Sequence, residues 1–411
     1  MTAFEDFLAK ATAPGPDRLI PGCVVVAANR DGIVYSNSFG TQSVDPGSPL
    51  VDTPLSLDTT MWIASCTKLV TAIAVMQCVE KGLLNLDDDI STVLNEWKEP
   101  QILVGFDDAT GEPILEKAKE RITLKMLLTH QSGMSYGFTN SALEKYIEWK
   151  KKMGMGDSRR VRDMCFLPLI FEPATSWSYG VGIDWAGQMV ERVNNNQSLG
   201  SYMEEHIWKP LGMKSTTFRL NERSDIVARR SDMTMREPKG TLIPSPTRFF
   251  PEDTPDDQGG GGLYSSPADY VKILIALLKN DGTLLTPESI DTLFTPYLSA
   301  AAADALRGVR FTQNQELEAE KDSWAMGGVV APVDVNYALG GLIAERDEEG
   351  GRRAGTMSWG GLPNLSWVID RVSGIAFFYG SQLLPAGDKA SKEILGLFEK
   401  AIYSREIKAL S

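Results

Sequence analysis

The run Cys23-Val24-Val25-Val26-Ala27-Ala28 is apolar at every position, so the chain must cover this segment on both faces. A strand with one wet face would alternate polar and apolar residues, and this one does not. Asn29-Arg30-Asp31-Gly32 and then Ile33-Val34-Tyr35 follow, which predicts a hairpin whose turn is rich in Asp and Gly. Larger strand patterns return only near the other end of the chain. They cover Tyr337–Glu345, Ser366–Asp370 and Ile375–Gly380, with turns at Gly350-Gly351 and Ser373-Gly374. Between them lie helical patterns at 123–129, 140–152, 183–194, 198–207, 267–279 and 287–294, and a small hairpin within 102–116. Helices are also expected over 3–13 and 386–403, while 299–335 is alanine-rich and low in pattern. Strands at both ends imply one sheet assembled from distant segments, with a helical region inserted into it. No repeat or low-complexity linker divides the chain. The expectation is therefore a single unit over 1–411, with 1–64 and 336–411 in the sheet region and 65–335 mainly helical.

A length of 411 residues, 43% of them hydrophobic and 23% charged, is ample for a core without staples. The net charge of −13 argues against non-specific nucleic-acid binding, which needs a cationic face. Cys23, Cys66, Cys78 and Cys165 are scattered, with no Cys-x-x-Cys pair and no zinc spacing. Two histidines, His130 and His206, do not suffice for a histidine-rich metal site, so no metal or cofactor is expected. The N-terminus lacks the basic and apolar regions of a signal peptide, and no run of 18 apolar residues exists. An intracellular, cytoplasmic protein with no membrane partner is the expectation.

Ser65-Cys66-Thr67-Lys68 places a hydroxyl and an amine three residues apart, on one helix face with Cβ atoms about 5–6 Å apart. Serine becomes a nucleophile when an adjacent base activates it. From here Leu69, Ala72, Ile73, Met76, Val79 and Leu83 form a stripe of helical period, and Lys81-Gly82 ends it. Ser65 thus opens a helix, where free amides and the macrodipole favour negative charge. Taken alone, the tetrad equally describes a solvated serine at a helix start. Tyr179, in Trp177-Ser178-Tyr179-Gly180, is by position a packed ring or a proton acceptor. A phenol is a poor base in water unless a neighbouring cation favours its ionised form, and Lys68 could supply that charge. Ser358-Trp359-Gly360-Gly361-Leu362 precedes a strand, and its paired glycines form either a plain turn or a close backbone approach to a ligand.

Gly133-Met134-Ser135-Tyr136-Gly137 matches the Gly-x-Ser-x-Gly elbow of α/β-hydrolases, which must follow a strand and open a helix. Here it follows a helical pattern, and the one later histidine, His206, lies in an ordinary amphipathic helix. His130 in Thr129-His130-Gln131-Ser132-Gly133 reads as a helix-end cap. The four glycines Gly259 to Gly262 lack the Gly-Lys-Ser/Thr ending of a phosphate loop, and a mobile or close-packed loop is expected instead.

In order along the chain, Ile20-Pro21-Gly22, Ser65-Cys-Thr-Lys68, Gly82-Leu-Leu-Asn-Leu-Asp-Asp88, Leu127-Leu-Thr-His-Gln-Ser-Gly133, Tyr179, Pro210-Leu-Gly-Met213, Gly260-Gly-Gly-Leu-Tyr-Ser-Ser266 and Trp359-Gly-Gly361 resemble the serine β-lactamase-related esterases. That family takes in class C β-lactamases, penicillin-binding proteins, family VIII esterases and fungal acyltransferases of the lovastatin-transesterase type. The resemblance spans roughly residues 19–395. It implies an α+β fold of the β-lactamase/transpeptidase type, an antiparallel sheet flanked by helices with an inserted mainly helical region. It also implies an acyl-enzyme on Ser65, proton transfers shared by Lys68 and Tyr179, and an oxyanion hole made by the Ser65 and Leu362 amides.

Two departures stand out. The family's Tyr-x-Asn is Tyr179-Gly180-Val181 here, so the amide side chain is missing, and Trp359 replaces the Lys that precedes the last strand in lactamases. An aromatic ring cannot pair with a carboxylate but can line an apolar pocket, so Trp359, Gly360 and Gly361 are expected to bind an ester or thioester rather than a lactam. The segment from Trp177 to Gly187 looks most like fungal members. The expected function is acyl transfer from Ser65 to an alcohol or to water on a bulky, polyketide-like small molecule, with an acyl carrier domain as one conceivable donor. The alternatives are a plain carboxylesterase of the same fold, an α/β-hydrolase using Ser135, and a non-catalytic penicillin-binding relative.

Overall fold

A computed structural model describes residues 3–155, 158–246, 250, 254–316 and 334–404, with the backbone alone over 309–316. β1 (Gly22–Asn29) and β2 (Gly32–Gly40) form the predicted hairpin. β3 (Val335–Tyr337), β4 (Leu342–Ala344), β5 (Met357–Gly361), β6 (Leu365–Asp370) and β7 (Ile375–Gly380) complete a seven-stranded sheet in the order β2-β1-β7-β6-β5-β4-β3. Every pairing in it is antiparallel. β1 meets β7 with Val24 opposite Gly380 and Ala28 opposite Ala376, so strands from the two ends of the chain share the middle of the sheet.

Five helices frame the sheet and the site: α1 (Ala3–Thr12), α2 (Thr67–Glu80), α3 (Gly182–Val193), α4 (Pro267–Lys279) and α5 (Lys389–Tyr403). Cys23, Val25 and Ala27 pack with Phe4 and Leu8 of α1 and with Ile394 and Phe398 of α5. Val24, Val26 and Ala28 belong to the larger core on the opposite face, with Tyr270 and Leu274 of α4. Double coverage explains why β1 carries no alternation. The expected stripe is buried from Leu69 to Met76, while Val79 is half-buried and Leu83 lies exposed beyond the end of α2. The helix buries more than the stripe, because every residue from Thr67 to Cys78 is buried. Its polar side chains are tolerated there because each finds an acceptor: Thr67 at Ala64 O, Thr71 at Gly259 O, and Gln77 at His206 O and Leu284 O.

Three expectations shift. The run Tyr337–Glu345 is not one strand, since Ala338 N–H donates to Gly341 O (2.8 Å) and closes a turn between β3 and β4. Its apolar sequence masked the turn because Gly340 packs against Leu69 and Met357. Trp359 and its glycines lie within β5 instead of preceding a strand. The helix over 267–279, assigned to the helical region, lies directly on β1, β6 and β7. Ala300–Glu316 is helical within the patternless stretch, and 317–333 lie outside the described residues. Among the described residues no helix is long and apolar enough to cross a membrane.

Glu191 in α3 has its carboxyl pushed up to about 7 by burial, while the Leu199 N–H acts in the opposite direction. An unfolded glutamate ionises near pH 4.3. The folded state therefore holds an extra proton between about pH 4.3 and 7, and stability falls as pH rises through that window. Glu191→Gln should flatten this fall, gaining on the order of 2–3 kcal/mol over the wild type at pH 8 and nothing at pH 4. Urea unfolding at the two pH values measures it.

Candidate active site

Ser65 lies in a single 3₁₀ turn, Ala64–Cys66, directly ahead of α2. Ala64 adopts φ 45°, a left-handed conformation that costs a side-chain-bearing residue energy and persists where surroundings enforce it. Thr67 enforces it: its Oγ1 donates to Ala64 O (2.6 Å) and accepts from Leu263 N–H (3.1 Å). The third residue of the tetrad thus shapes the turn that presents the first.

Lys68 is wholly buried, and its ammonium has three donors to satisfy. Three oxygens receive them: Ser65 Oγ (3.3 Å), Tyr136 Oη (3.1 Å) and Gly260 O (2.5 Å). The ammonium also lies 4.8 Å from the centroid of the Tyr179 ring. Tyr179 closes the constellation, its hydroxyl bonding Ser65 Oγ at 2.6 Å. The structure therefore brings Ser65, Lys68 and Tyr179 together, from segments 114 positions apart.

Tyr179 is held from three sides. The His130 ring is T-shaped to it at 4.9 Å, Tyr136 lies at 5.2 Å and Trp359 at 5.3 Å. His130 was expected to cap helix carbonyls, and it does sit in a left-handed position (φ 60°) just beyond the helix Leu124–Leu128. Its groups instead face the tyrosine segment. Its carbonyl accepts Ser178 N–H (3.1 Å) and its Nδ1 accepts Gly180 N–H (3.4 Å), bracketing Tyr179. Burial, aided by the Lys68 charge, pushes the imidazole well below its usual range, so it stays neutral and keeps Nδ1 as an acceptor.

Trp359 corrects an expectation. It is 1% exposed, wedged between Tyr179 and Tyr337, and stands behind the cavity wall as a buttress for the tyrosine. Gly360, Gly361 and Leu362 do line the cavity. A Cβ on Gly361 would sit 2.5 Å from Ile63 O, so the close approach that needs glycine is to the Ser65 turn itself. Gly361→Ala should push β5 away from that turn and lower kcat by up to about 100-fold, the cost of a misplacement of about 1 Å, with some loss of thermal stability from the backbone shift. Steady-state kinetics beside a thermal melt checks it.

Ser135 follows the helix Leu124–Leu128, not a strand, and its hydroxyl bonds Ser178 and Thr139 (2.8 Å each). Neither partner is a base. Tyr136, in the same segment, escaped the sequence reading because its partner Lys68 lies 68 positions away. Burial pushes its phenol well above the usual range, so it stays a neutral hydroxyl against the ammonium. The glycine run is pinned, not mobile: Thr71 bonds Gly259 O, Lys68 bonds Gly260 O, and Trp62 Nε1 bonds Gly261 O (2.8 Å).

The constellation opens on a cavity of about 860 Å³ with largely apolar walls, including Trp62, Phe138, Met164, Leu167, Leu362 and Leu384. Val181 also lines it, at the position where the resemblance expects an amide. Among the described residues no group of three or more His, Cys, Asp or Glu could hold a metal ion.

An antiparallel sheet between helical layers, with a serine bonded to a tyrosine and a buried lysine at the mouth of an apolar cavity, defines a class of acyl-transferring serine enzymes. The sequence matches the Beta-lactamase family over residues 4–398, and the chain belongs to that family. It is 35% identical to the ML-236A carboxylate methylbutanoyltransferase mlcH of Penicillium citrinum over 390 residues, 94% of this chain and 91% of that protein. It is 35% identical to the lovastatin esterase of Penicillium rubens over 393 residues, 94% of this chain and 95% of that one. Unliganded simvastatin synthase from Aspergillus terreus superposes with a TM-score of 0.85 at 33% identity, covering 98% of both chains. The protein is an enzyme of the serine acyltransferase and carboxylic ester hydrolase class.

Proposed function

We propose that this enzyme takes an acyl group from a thioester or ester onto Ser65 and delivers it to a hydroxyl of a bulky, polyketide-like acceptor. The observation that carries this is the 2.6 Å contact between Tyr179 Oη and Ser65 Oγ, with the Lys68 ammonium 3.3 Å from the same oxygen. With Tyr179 as phenolate, beside the Lys68 cation, the Ser65 proton passes to its oxygen while Oγ bonds the substrate carbonyl carbon. The amides of Ser65 and Leu362 would hold the oxyanion, a contribution of about 3–4 kcal/mol per donor. Collapse expels the leaving group, which takes the proton from Tyr179. The acceptor hydroxyl then gives its proton to the phenolate as its oxygen attacks the acyl carbon, and Ser65 Oγ leaves and recovers the proton.

Relatives named for transferring a methylbutanoyl group and one named as an esterase support both alcohol and water as acceptors. The apolar cavity and the valine at 181 favour transfer, because a hydrolytic water has fewer polar groups to hold it there. Intact-protein mass spectrometry with a 2-methylbutanoyl thioester should show one acyl adduct, discharged faster by a polycyclic alcohol than by buffer. Coenzyme A, carrier-protein and small-thiol donors compared side by side identify the donor. Absence of any adduct would sink the proposal.

A further inference from the structure

Gly260 makes two backbone interactions, one from each of the peptide groups that flank its Cα. Its carbonyl accepts a hydrogen bond from the Lys68 ammonium at 2.5 Å, and its N–H donates to Asp184 Oδ1 at 2.8 Å. Asp184 lies in the first turn of α3, five residues beyond Tyr179, and is buried. A Cβ on Gly260 would fall 2.3 Å from Asp184 Oδ2, so the carboxylate lies flat against this glycine and no side chain fits between them. Thr71 bonds the carbonyl of the peptide group that contains the Gly260 N–H, and Trp62 bonds Gly261 O, which leaves the Gly260 backbone little freedom to turn away.

Of the buried groups whose ionisation senses the Lys68 charge, Cys66, Cys165, His130 and Asp184, one is a carboxylate. Burial pushes both thiols up and the imidazole down, so these three are neutral near pH 7. Tyr136 and Tyr179 complete the groups around the ammonium. The Gly260 N–H shares its peptide group with Gly259 O, so Asp184 fixes the backbone that presents Gly260 O to the ammonium, and its charge reaches Lys68 through space. The Asp184 carboxyl is pushed up, burial outweighing the Lys68 charge and the Gly260 N–H that favour its ionised form.

We propose that Asp184 is the buried counter-charge and positioning residue for Lys68, acting through the backbone of Gly260. It supplies from α3 a polar hold on the catalytic lysine that Val181 cannot. This role rests on the acyl-enzyme reading of Ser65. Asp184 does not touch the reacting atoms; it holds the ammonium aimed at Ser65 and Tyr179.

Asp184→Asn separates charge from geometry, because the amide oxygen can still accept the Gly260 N–H. Removing a nearby negative charge makes every neighbouring acid stronger. The test is the rate at which a fluorophosphonate probe labels Ser65, followed by intact mass from pH 5 to 10. The variant should melt like the wild type, have its whole pH profile displaced to lower pH by about one unit, and label about tenfold more slowly at its own pH maximum than the wild type does at its maximum. With a p-nitrophenyl ester, kcat should fall while KM stays within about twofold. A profile superimposable on the wild type, whatever the rate, overturns the proposal and makes Asp184 a packing residue. Should the asparagine variant not fold, Asp184→Ser, also uncharged, is read in the same way. A wild-type protein that takes no probe overturns the acyl-enzyme reading itself, and this role with it.

Discussion

Ser65→Ala should abolish acyl-enzyme formation, lowering kcat on a p-nitrophenyl ester by at least about 10⁴-fold and up to about 10⁶-fold. The change removes one oxygen at the junction of two hydrogen bonds, from Tyr179 and from Lys68, in a half-buried turn. Ala64, Thr67 and Leu263 keep the turn's geometry, so the fold should survive and loss of rate will report chemistry. The burst of nitrophenolate and the mass adduct should vanish together. Activity within tenfold of the wild type would place the nucleophile elsewhere, and Ser135→Ala is the matched control. Ser135 bonds other hydroxyls, so its loss should cost about 1–2 kcal/mol of stability and little rate.

Tyr179→Phe should be nearly as damaging, lowering kcat by about 10²- to 10⁴-fold, the range for loss of a positioned proton acceptor. The substitution keeps the ring, and with it the contacts to His130, Tyr136 and Trp359. What disappears is the oxygen 2.6 Å from Ser65 Oγ. KM should move less than about threefold, because that oxygen serves the transition state more than substrate binding. The alkaline rise in the acylation rate should flatten. A variant with wild-type kcat would shift the base to Lys68, and Lys68→Met should then be dead while the phenylalanine enzyme lives.

Much of this architecture is visible in local patterns. The non-alternating β1 run demanded cover on both faces, and α1, α5 and α4 provide it. The Ser65–Lys68 spacing anticipates the 3.3 Å contact, because a helical turn brings positions three apart onto one face whatever the rest of the chain does. Where the sequence misled, the cause is long range. The apolar spacing of α2 marks one stripe, yet partners from Gly259, Gly260, His206 and Leu284 let its polar residues be buried as well. Trp359 looks like a pocket wall by its neighbours, but the register of β5 turns its indole toward Tyr337.

By itself, then, the sequence determined the serine, the lysine beside it, the sheet drawn from both ends of the chain, and the family. The first three follow from periodicity and spacing, which are properties of the chain over a few residues, and the family from the resemblance of motifs in their order along it. Tertiary structure alone decided that Tyr136 meets Lys68, that Gly361 is required by the Ser65 turn and that Asp184 stands behind Gly260. Each joins residues of no fixed sequence relation, through distances that exist only after the helical region has closed on the sheet.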